Sequence, residues 1–130
     1  MAIDLLDYIP FAETLGIRIT TSEKDLVIGK MEVAQALLTT GKILHGGATM
    51  AFADTLGAVA AFLNLPEGAK STTTIESKTN FISAAPLGDK LIGTCKPIHI
   101  GRRMSVWQTD IVREDGKKVA VITQSQLVLT

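Results

Sequence analysis

The sequence predicts an α+β fold in which one long helix lies on an antiparallel sheet. Three observations support this: two apolar segments suited to a hairpin, a nearly continuous apolar run at about 46–63, and four strand-like segments after it. Short turns separate these later segments, which favours antiparallel neighbours. With 130 residues, of which 46% are hydrophobic, the chain is expected to form one domain over 1–130 with its own core.

The N-terminal part is predicted to contain a short helix and the hairpin. Residues 2–8 form the short helix, and Pro10 then begins a turn that ends at Gly16. Alternating side chains over 17–21 and the segment 26–33 predict the two strands of the hairpin. A loop then leads to the long helix.

The long helix is predicted to have two unlike faces. An apolar stripe at helical spacing is expected to pack on the sheet; it consists of Phe52, Leu56, Val59 and Leu63. Asp54 falls nearly opposite that stripe. Its face is built mostly of small residues: Gly47, Met50, Ala51, Ala58 and Ala61. Asp54 is therefore expected to point away from its own sheet and into a cleft shared with another subunit.

Four strands are predicted after the helix, at 71–82, 91–100, 103–113 and 119–129. In the first of them simple alternation places Thr72, Thr74 and Glu76 on one face, and neither face is strongly apolar. Such a strand is expected at a sheet edge or a subunit interface. The Asp115-Gly116 pair suits a type I′ hairpin turn before the last strand.

Charge and cysteine content bear on the partners and the compartment. The formal net charge of zero predicts no attraction to nucleic acid or to an anionic membrane. The single cysteine, Cys95, cannot form an internal disulfide, which fits a reducing compartment. The first residues carry no basic region, and the run at 48–63 is short and rich in alanine for a membrane span. We expect a soluble cytoplasmic protein.

The start of the long helix carries the strongest chemical signal. His45-Gly46-Gly47 precedes an apolar run that contains a single acid, Asp54, and a buried lone carboxylate is costly unless it is used or paired. Glycines at a helix start leave N–H groups open to a ligand at the positive end of the helix dipole. A carboxylate and open amides suggest chemistry at a carbonyl. Metal-ligand spacing is not recognisable among His45, Asp54 and His99.

This motif, with Asp54 nine residues after the histidine, resembles the active-site helix of hotdog-fold acyl-CoA thioesterases of the phenylacetic-acid-degradation type. Further similar segments lie at 15–18, 74–85, 101–103 and 114–120. The resemblance implies a hotdog fold, an antiparallel sheet wrapped around one central helix. It also implies hydrolysis of an acyl-CoA thioester without a cofactor or metal, coenzyme A being part of the substrate. The expected assembly is a homodimer with the site at its interface, and often a dimer of dimers.

The resemblance also implies roles for individual residues. Asp54 is expected to be the nucleophile or the general base, and the Gly46 N–H to polarise the thioester carbonyl. His45 would shape the site, although it could equally be a helix cap. Gly47 and Thr74 would contact the substrate, and Thr74 would help to position water unless it is an ordinary strand residue.

Two arginines and several apolar side chains complete the expected substrate site. Arg102 and Arg103 would meet the coenzyme A phosphates, since guanidinium forks suit phosphate oxygens, or they would be surface charges. Candidates for the acyl pocket are Tyr8, Ile9, Phe11, Met50 and Phe62.

The chain departs from the family pattern at two positions. Thr39 stands where relatives often have Asn or Gln, and Ala58 where some have Ser or Thr, which leaves Thr74 as the expected helper. Two alternative functions remain on the same fold: a non-catalytic protein that binds acyl-CoA, and a hydratase or dehydratase. Cys95 is not expected to be a nucleophile, because no histidine is spaced to activate it.

Overall fold

A computed structural model describes residues 8–130, so the helix predicted over residues 2–8 lies outside the described residues except for Tyr8. The bounds of the helices and strands agree closely with the predicted ones. In chain order they are α1 (Pro10–Leu15), β1 (Arg18–Glu23), β2 (Leu26–Glu32), α2 (Gly46–Leu63), β3 (Ser71–Phe81), β4 (Lys90–Ile100), β5 (Met104–Arg113) and β6 (Lys118–Leu129). Two short 3-10 turns, Gln35–Leu37 and Thr40–Lys42, lie in the loop before α2.

The six strands form one antiparallel sheet in the order β1-β2-β4-β5-β6-β3. The chain passes from β2, which lies next to one edge strand, through α2 to β3, which forms the opposite edge of the sheet. β3 therefore pairs only with β6 among the described strands and forms an edge, as the weak apolar character of both its faces predicts.

Helix α2 packs on this sheet through the predicted apolar stripe. Phe52 and Leu56 are fully buried, and their side chains lie over Gly29 of β2 and Gly93 of β4, which are paired across the two strands. A Cβ atom at Gly93 would lie 2.6 Å from Leu56 Cδ1, so glycine is needed for the helix to approach the sheet this closely. The predicted α+β fold, with one long helix packed on an antiparallel sheet, is confirmed.

A β-bulge in β3 changes which of its side chains face the helix. The pairing with β6 shifts between Thr74 and Glu76, so that one extra residue stands in β3. Consequently Thr72 and Thr74 share the inward face with Ser77 and not with Glu76. Simple alternation is wrong beyond this point, because a bulge reverses the facing of every later residue in the strand.

The β5–β6 turn also differs from its predicted type. Gly116 has φ 89, whereas Asp115 is not in the positive-φ region that a type I′ turn requires at both central positions. The Gly116 N–H bonds the Arg113 carbonyl, and the Asp115 side chain accepts from the Lys117 N–H. These bonds build a three-residue hairpin loop with a glycine at its left-handed position.

Among residues 8–130, one helix, α2, has a length and hydropathy that would suit a membrane span. The share of that 18-residue stretch buried inside the protein is 56%. Such burial is expected for the core helix of an α+β domain, where the sheet supplies the apolar surroundings.

Candidate active site

The N-terminus of α2 is capped by the side chain of His45. The His45 Nδ1 accepts a 2.8 Å hydrogen bond from the Gly47 N–H. An accepting Nδ1 carries no proton, so the neutral ring carries its proton on Nε2. Of the two glycine amides expected to be open, that of Gly47 is thus already used. The Gly46 N–H has no acceptor among residues 8–130.

A cleft of about 340 Å³ opens beside Gly46. Its walls come from the loop before α2, the start of α2, and the end of β3 with the loop that follows; the lining residues include Thr39, Leu44, Gly46, Thr49, Phe81 and Ala85. The Phe81 ring lies so near Gly46 that a Cβ atom there would be 3.2 Å from Phe81 Cζ. The cleft is mostly apolar, and Gly46, whose N–H has no acceptor, is one of its lining residues.

The carboxylate of Asp54 is held by its own sheet. Its Oδ1 accepts hydrogen bonds from the Thr74 hydroxyl of β3 at 2.7 Å and from the Gln124 amide Nε2 of β6 at 3.2 Å. The expectation that Asp54 points away from its own sheet is therefore wrong, because α2 is in contact with all six strands, the edge strand β3 included. Most of the predicted face is still less buried than the apolar stripe, because Met50 is exposed and Ala51, Asp54 and Ala58 are half-buried, whereas Ala61 is buried.

A second glutamine extends this network. The Gln126 Nε2 donates to the Thr74 hydroxyl at 2.6 Å, and its Oε1 accepts from the Thr72 hydroxyl at 3.1 Å. Sequence reasoning missed Gln124 and Gln126. The signal was available: Ala120, Ile122, Gln124 and Gln126 share one face of β6 by alternation, and a polar residue on an apolar face needs a buried partner.

Gly46 and Asp54 of one chain are too far apart to act on the same carbonyl. They are eight residues apart on one helix, which at about 1.5 Å per residue separates them by about 12 Å along its axis. An oxyanion donor and an attacking group must each come within about 3 Å of one reacting group. Within a single chain, the expected pair therefore marks two half-sites and not one complete site.

The remaining predicted residues lie in separate places. Arg102 and Arg103 are exposed in the β4–β5 turn, where the Arg103 carbonyl bonds the Val128 N–H. This is the end of the sheet at which β3 begins, and so it is opposite to Phe81 and Gly46. None of the apolar candidates Tyr8, Ile9, Phe11, Met50 and Phe62 lines the cleft beside Gly46.

Two other reactive side chains lie outside the site. Cys95 is fully buried, and this burial raises the pKa of its thiol from 9.0 to about 11, while the Thr109 side chain offsets part of the rise. Such a thiol is protonated at neutral pH and is a poor nucleophile. His99 is an exposed residue of β4. In the described part of the chain, no three His, Cys, Asp or Glu side chains are grouped to hold a metal ion.

The family model of the thioesterase superfamily matches residues 41–120, which include α2 and strands β3 to β5. The chain belongs to the thioesterase superfamily. A solved structure that resembles this thioesterase is that of a Haemophilus influenzae thioesterase, with a TM-score of 0.87, 30% identity, and coverage of 96% of this chain and 86% of that one. The PaaI protein of the Escherichia coli phenylacetic acid degradation operon has the same fold at TM-score 0.89 and 23% identity, covering 97% of this chain and 88% of that one.

Curated relatives of this thioesterase agree with the assignment. The proofreading thioesterase EntH of Cronobacter turicensis is 32% identical over 117 residues, which are 90% of this chain and 84% of that protein. The 1,4-dihydroxy-2-naphthoyl-CoA hydrolase of Escherichia coli is 39% identical over 75 residues, 58% of this chain and about half (54%) of that enzyme. The predicted hotdog thioesterase family is confirmed, and the protein is a thioester hydrolase.

Proposed function

We propose that this thioesterase hydrolyses acyl-CoA thioesters in the cytoplasm, at a site built from Gly46 of one chain and Asp54 of a second copy. The observation that carries the proposal is that α2 bears two groups suited to hydrolysis: a free amide at the helix start and a carboxylate held by two hydrogen-bond donors. The choice of a coenzyme A ester is supported by the similarity to a CoA hydrolase.

Hydrolysis requires an oxyanion donor and a group that delivers oxygen to the carbonyl carbon. The Gly46 N–H, at the positive end of the helix dipole, would stabilise negative charge on the thioester oxygen. Asp54 would take a proton from water as the water oxygen bonds to carbon, or would itself attack and be released by water. In both routes the C–S bond breaks, and the thiolate leaves and takes up a proton.

Pairing of two chains through the edge strand β3 would form the two-chain site. Its outer edge has no partner among the described strands, and it bears exposed apolar side chains at Ile75 and Phe81. Antiparallel pairing of two β3 strands reverses one copy, which would bring the Phe81 end of one chain to the Thr74 end of the other. Because Phe81 lies against Gly46 and Thr74 bonds Asp54, this pairing would unite the two half-sites.

The cleft beside Gly46 would take the acyl group, and Arg102 and Arg103 would face the coenzyme A phosphates. The mostly apolar walls suit an acyl chain or ring. The exposed guanidinium groups lie at the end of the sheet where β3 begins. In the proposed dimer that end lies beside the Gly46 cleft of the other copy.

Thiol release tests this function. Aryl- and fatty-acyl-CoAs would be assayed with the wild type, with Asp54→Asn, and with Asp110→Asn as a control acid that pairs with Lys118 on the surface. We expect release of free thiol that falls at least about 100-fold in Asp54→Asn and is unchanged in Asp110→Asn. Wild-type rates in Asp54→Asn would refute the role of Asp54. Tight binding without thiol release, or addition of water to the acyl chain, would favour the binding protein or the hydratase instead.

A further inference from the structure

Both hydrogen bonds to the Asp54 carboxylate end on the same oxygen. Thr74 and Gln124 donate to Oδ1, and no described residue donates to Oδ2. A carboxylate held through one oxygen keeps a fixed orientation and leaves its other oxygen free for a ligand. The two oxygens of Asp54 therefore differ in their surroundings.

Gln124 is a buried side chain fitted closely against α2. It is 1% exposed, its Nε2 lies 3.2 Å from Asp54 Oδ1, and its Oε1 is buried without a partner among the described residues. A methyl group at Gly57 would overlap the Gln124 amide, so the glycine makes room for it. A buried amide with an unpaired oxygen costs free energy, and the hydrogen bond from its nitrogen to Asp54 offsets part of that cost.

Gln126 is linked to the same carboxylate through the Thr74 hydroxyl. It is also 1% exposed, and it donates to the Thr74 hydroxyl at 2.6 Å. Because that hydroxyl oxygen already accepts from Gln126, its single proton is directed to Asp54 Oδ1. The Thr72 hydroxyl has one proton for two acceptors at 3.1 Å, the Gln126 Oε1 and the Leu127 carbonyl, and so it contacts the Gln126 amide without fixing its orientation.

We propose that Gln124 and Gln126 are positioning residues that hold Asp54 by Oδ1, so that Oδ2 faces the thioester or its attacking water. The proposal rests on the proposed function. It also explains how the acid is supported although Ala58 stands where some relatives have Ser or Thr. The polar support for the acid comes from strand β6 and not from the next turn of α2. Neither glutamine touches the reacting atoms, and both act through the geometry of the carboxylate.

Kinetics of near-isosteric variants test this proposal. Gln124→Met and Gln126→Met keep the length of the side chain and lose the donor, and Gln108→Met, at an exposed position of β5, is the matched control. We expect kcat to fall about 10- to 100-fold in the first two, with KM within about twofold, because a misplaced catalytic group costs rate and not binding. The control is expected to keep the wild-type kcat. Wild-type kcat in both core variants would overturn the proposal.

Gly57→Ala gives an independent variant, because it leaves Gln124 in the chain and displaces only its amide. The same loss of kcat is expected, with a folded protein by circular dichroism, since alanine favours the helix. If Asp54→Asn abolishes thiol release while Gln124→Met, Gln126→Met and Gly57→Ala keep it, only the positioning role fails. If Asp54→Asn itself keeps the wild-type rate, the role of Asp54 in the proposed function has failed, and the positioning role fails with it.

A readout without turnover completes the test. In the NMR spectrum of Asp54→Ala, the side-chain amide signals of Gln124 are expected to shift and to exchange with solvent at least about 10-fold faster, because this amide loses its acceptor. The Gln126 amide keeps its Thr74 acceptor, so its signals are expected to shift without faster exchange. The Gln108 amide should not change. Unchanged Gln124 and Gln126 signals would overturn the hydrogen-bond chain, whatever the substrate.

Discussion

The hydroxyl of Thr74 donates a 2.7 Å hydrogen bond to Oδ1 of Asp54 and so joins the edge strand β3 to the central helix α2. The bond lies at the β-bulge of β3, where the strand pairing shifts by one residue. Bulges often re-aim side chains beside active sites. In the proposed dimer, the strand whose edge would pair with a second copy thus also holds the proposed catalytic carboxylate, so that assembly and catalysis would depend on the same element.

Two substitutions of Thr74 distinguish the effect of its hydroxyl from the effect of its shape. Thr74→Val removes the donor to Asp54 with little change in volume, whereas Thr74→Ser keeps the donor. We expect Thr74→Val to lower kcat about 10- to 100-fold and Thr74→Ser to stay within about threefold of the wild type, as measured by thiol release. Wild-type kcat in Thr74→Val together with a loss in Thr74→Ser would show that packing of the methyl group, and not the hydrogen bond, matters at this position.

Gly47→Ala should have an effect on stability that depends on His45. Alanine favours a helix by up to about 1 kcal/mol over glycine, but a Cβ atom here would lie 2.9 Å from His45 Nδ1 and displace the capping ring. Loss of such a cap costs about 1 kcal/mol. We expect no gain in the free energy of unfolding in urea for Gly47→Ala in the wild type, and a gain of roughly 1 kcal/mol in the His45→Ala background. An equal gain in both backgrounds would contradict the His45 cap.

Arg102→Ala and Arg103→Ala should weaken binding of a coenzyme A ester specifically. A lost charge-assisted hydrogen bond to phosphate corresponds to about 10-fold or more in KM, with less effect on kcat. The same acyl group on N-acetylcysteamine, which has no phosphate, should give an unchanged KM. Arg18→Ala on β1, at the far edge of the sheet, is the control. If KM rises equally for both thioesters, or for neither, the arginines do not contact the phosphates.

The buried thiol of Cys95 predicts a loss of stability at alkaline pH. Its pKa is about 11 in the folded protein against 9.0 ordinarily, so above pH 9 the unfolded chain releases a proton that the folded chain keeps. Stability therefore falls as the pH rises from 9 toward 11, by roughly 3 kcal/mol at most from this group. Urea unfolding under reducing conditions should show a shallower alkaline decline in Cys95→Ala. Equal declines in the wild type and in Cys95→Ala would contradict the raised pKa of the Cys95 thiol.

The elements of the fold could be predicted because each has a strong local pattern. The stripe that contains Phe52 and Leu56 repeats at helical spacing, and both side chains are buried against the sheet. The mixed polarity of 71–82 correctly predicted an edge strand. Patterns of this kind depend only on which residues are apolar and at what period.

The surroundings of Asp54 could not be predicted in the same way. Helical phase correctly placed it on the less buried face, but phase says nothing about how far a curved sheet wraps around the helix. The bulge after Thr74 has no distinct sequence signal, so alternation put the wrong residues inward beyond it. Gln124 and Gln126 lie 70 and 72 residues after Asp54, and only tertiary pairing brings them to it.

The two-chain site can be tested most directly by mixing two inactive variants. Gly46→Pro removes the free N–H at the first position of α2, where the proline backbone is well tolerated and the Phe81 ring must move by a few tenths of an ångström. Asp54→Asn removes the carboxylate. Each variant alone should lose at least about 100-fold in kcat. After co-expression or exchange of subunits, random pairing makes half of the dimers mixed, each with one intact site, so thiol release should recover to about a quarter of the wild-type rate. No recovery, with mixed dimers demonstrated by mass spectrometry, would contradict a site shared between Gly46 of one chain and Asp54 of the other.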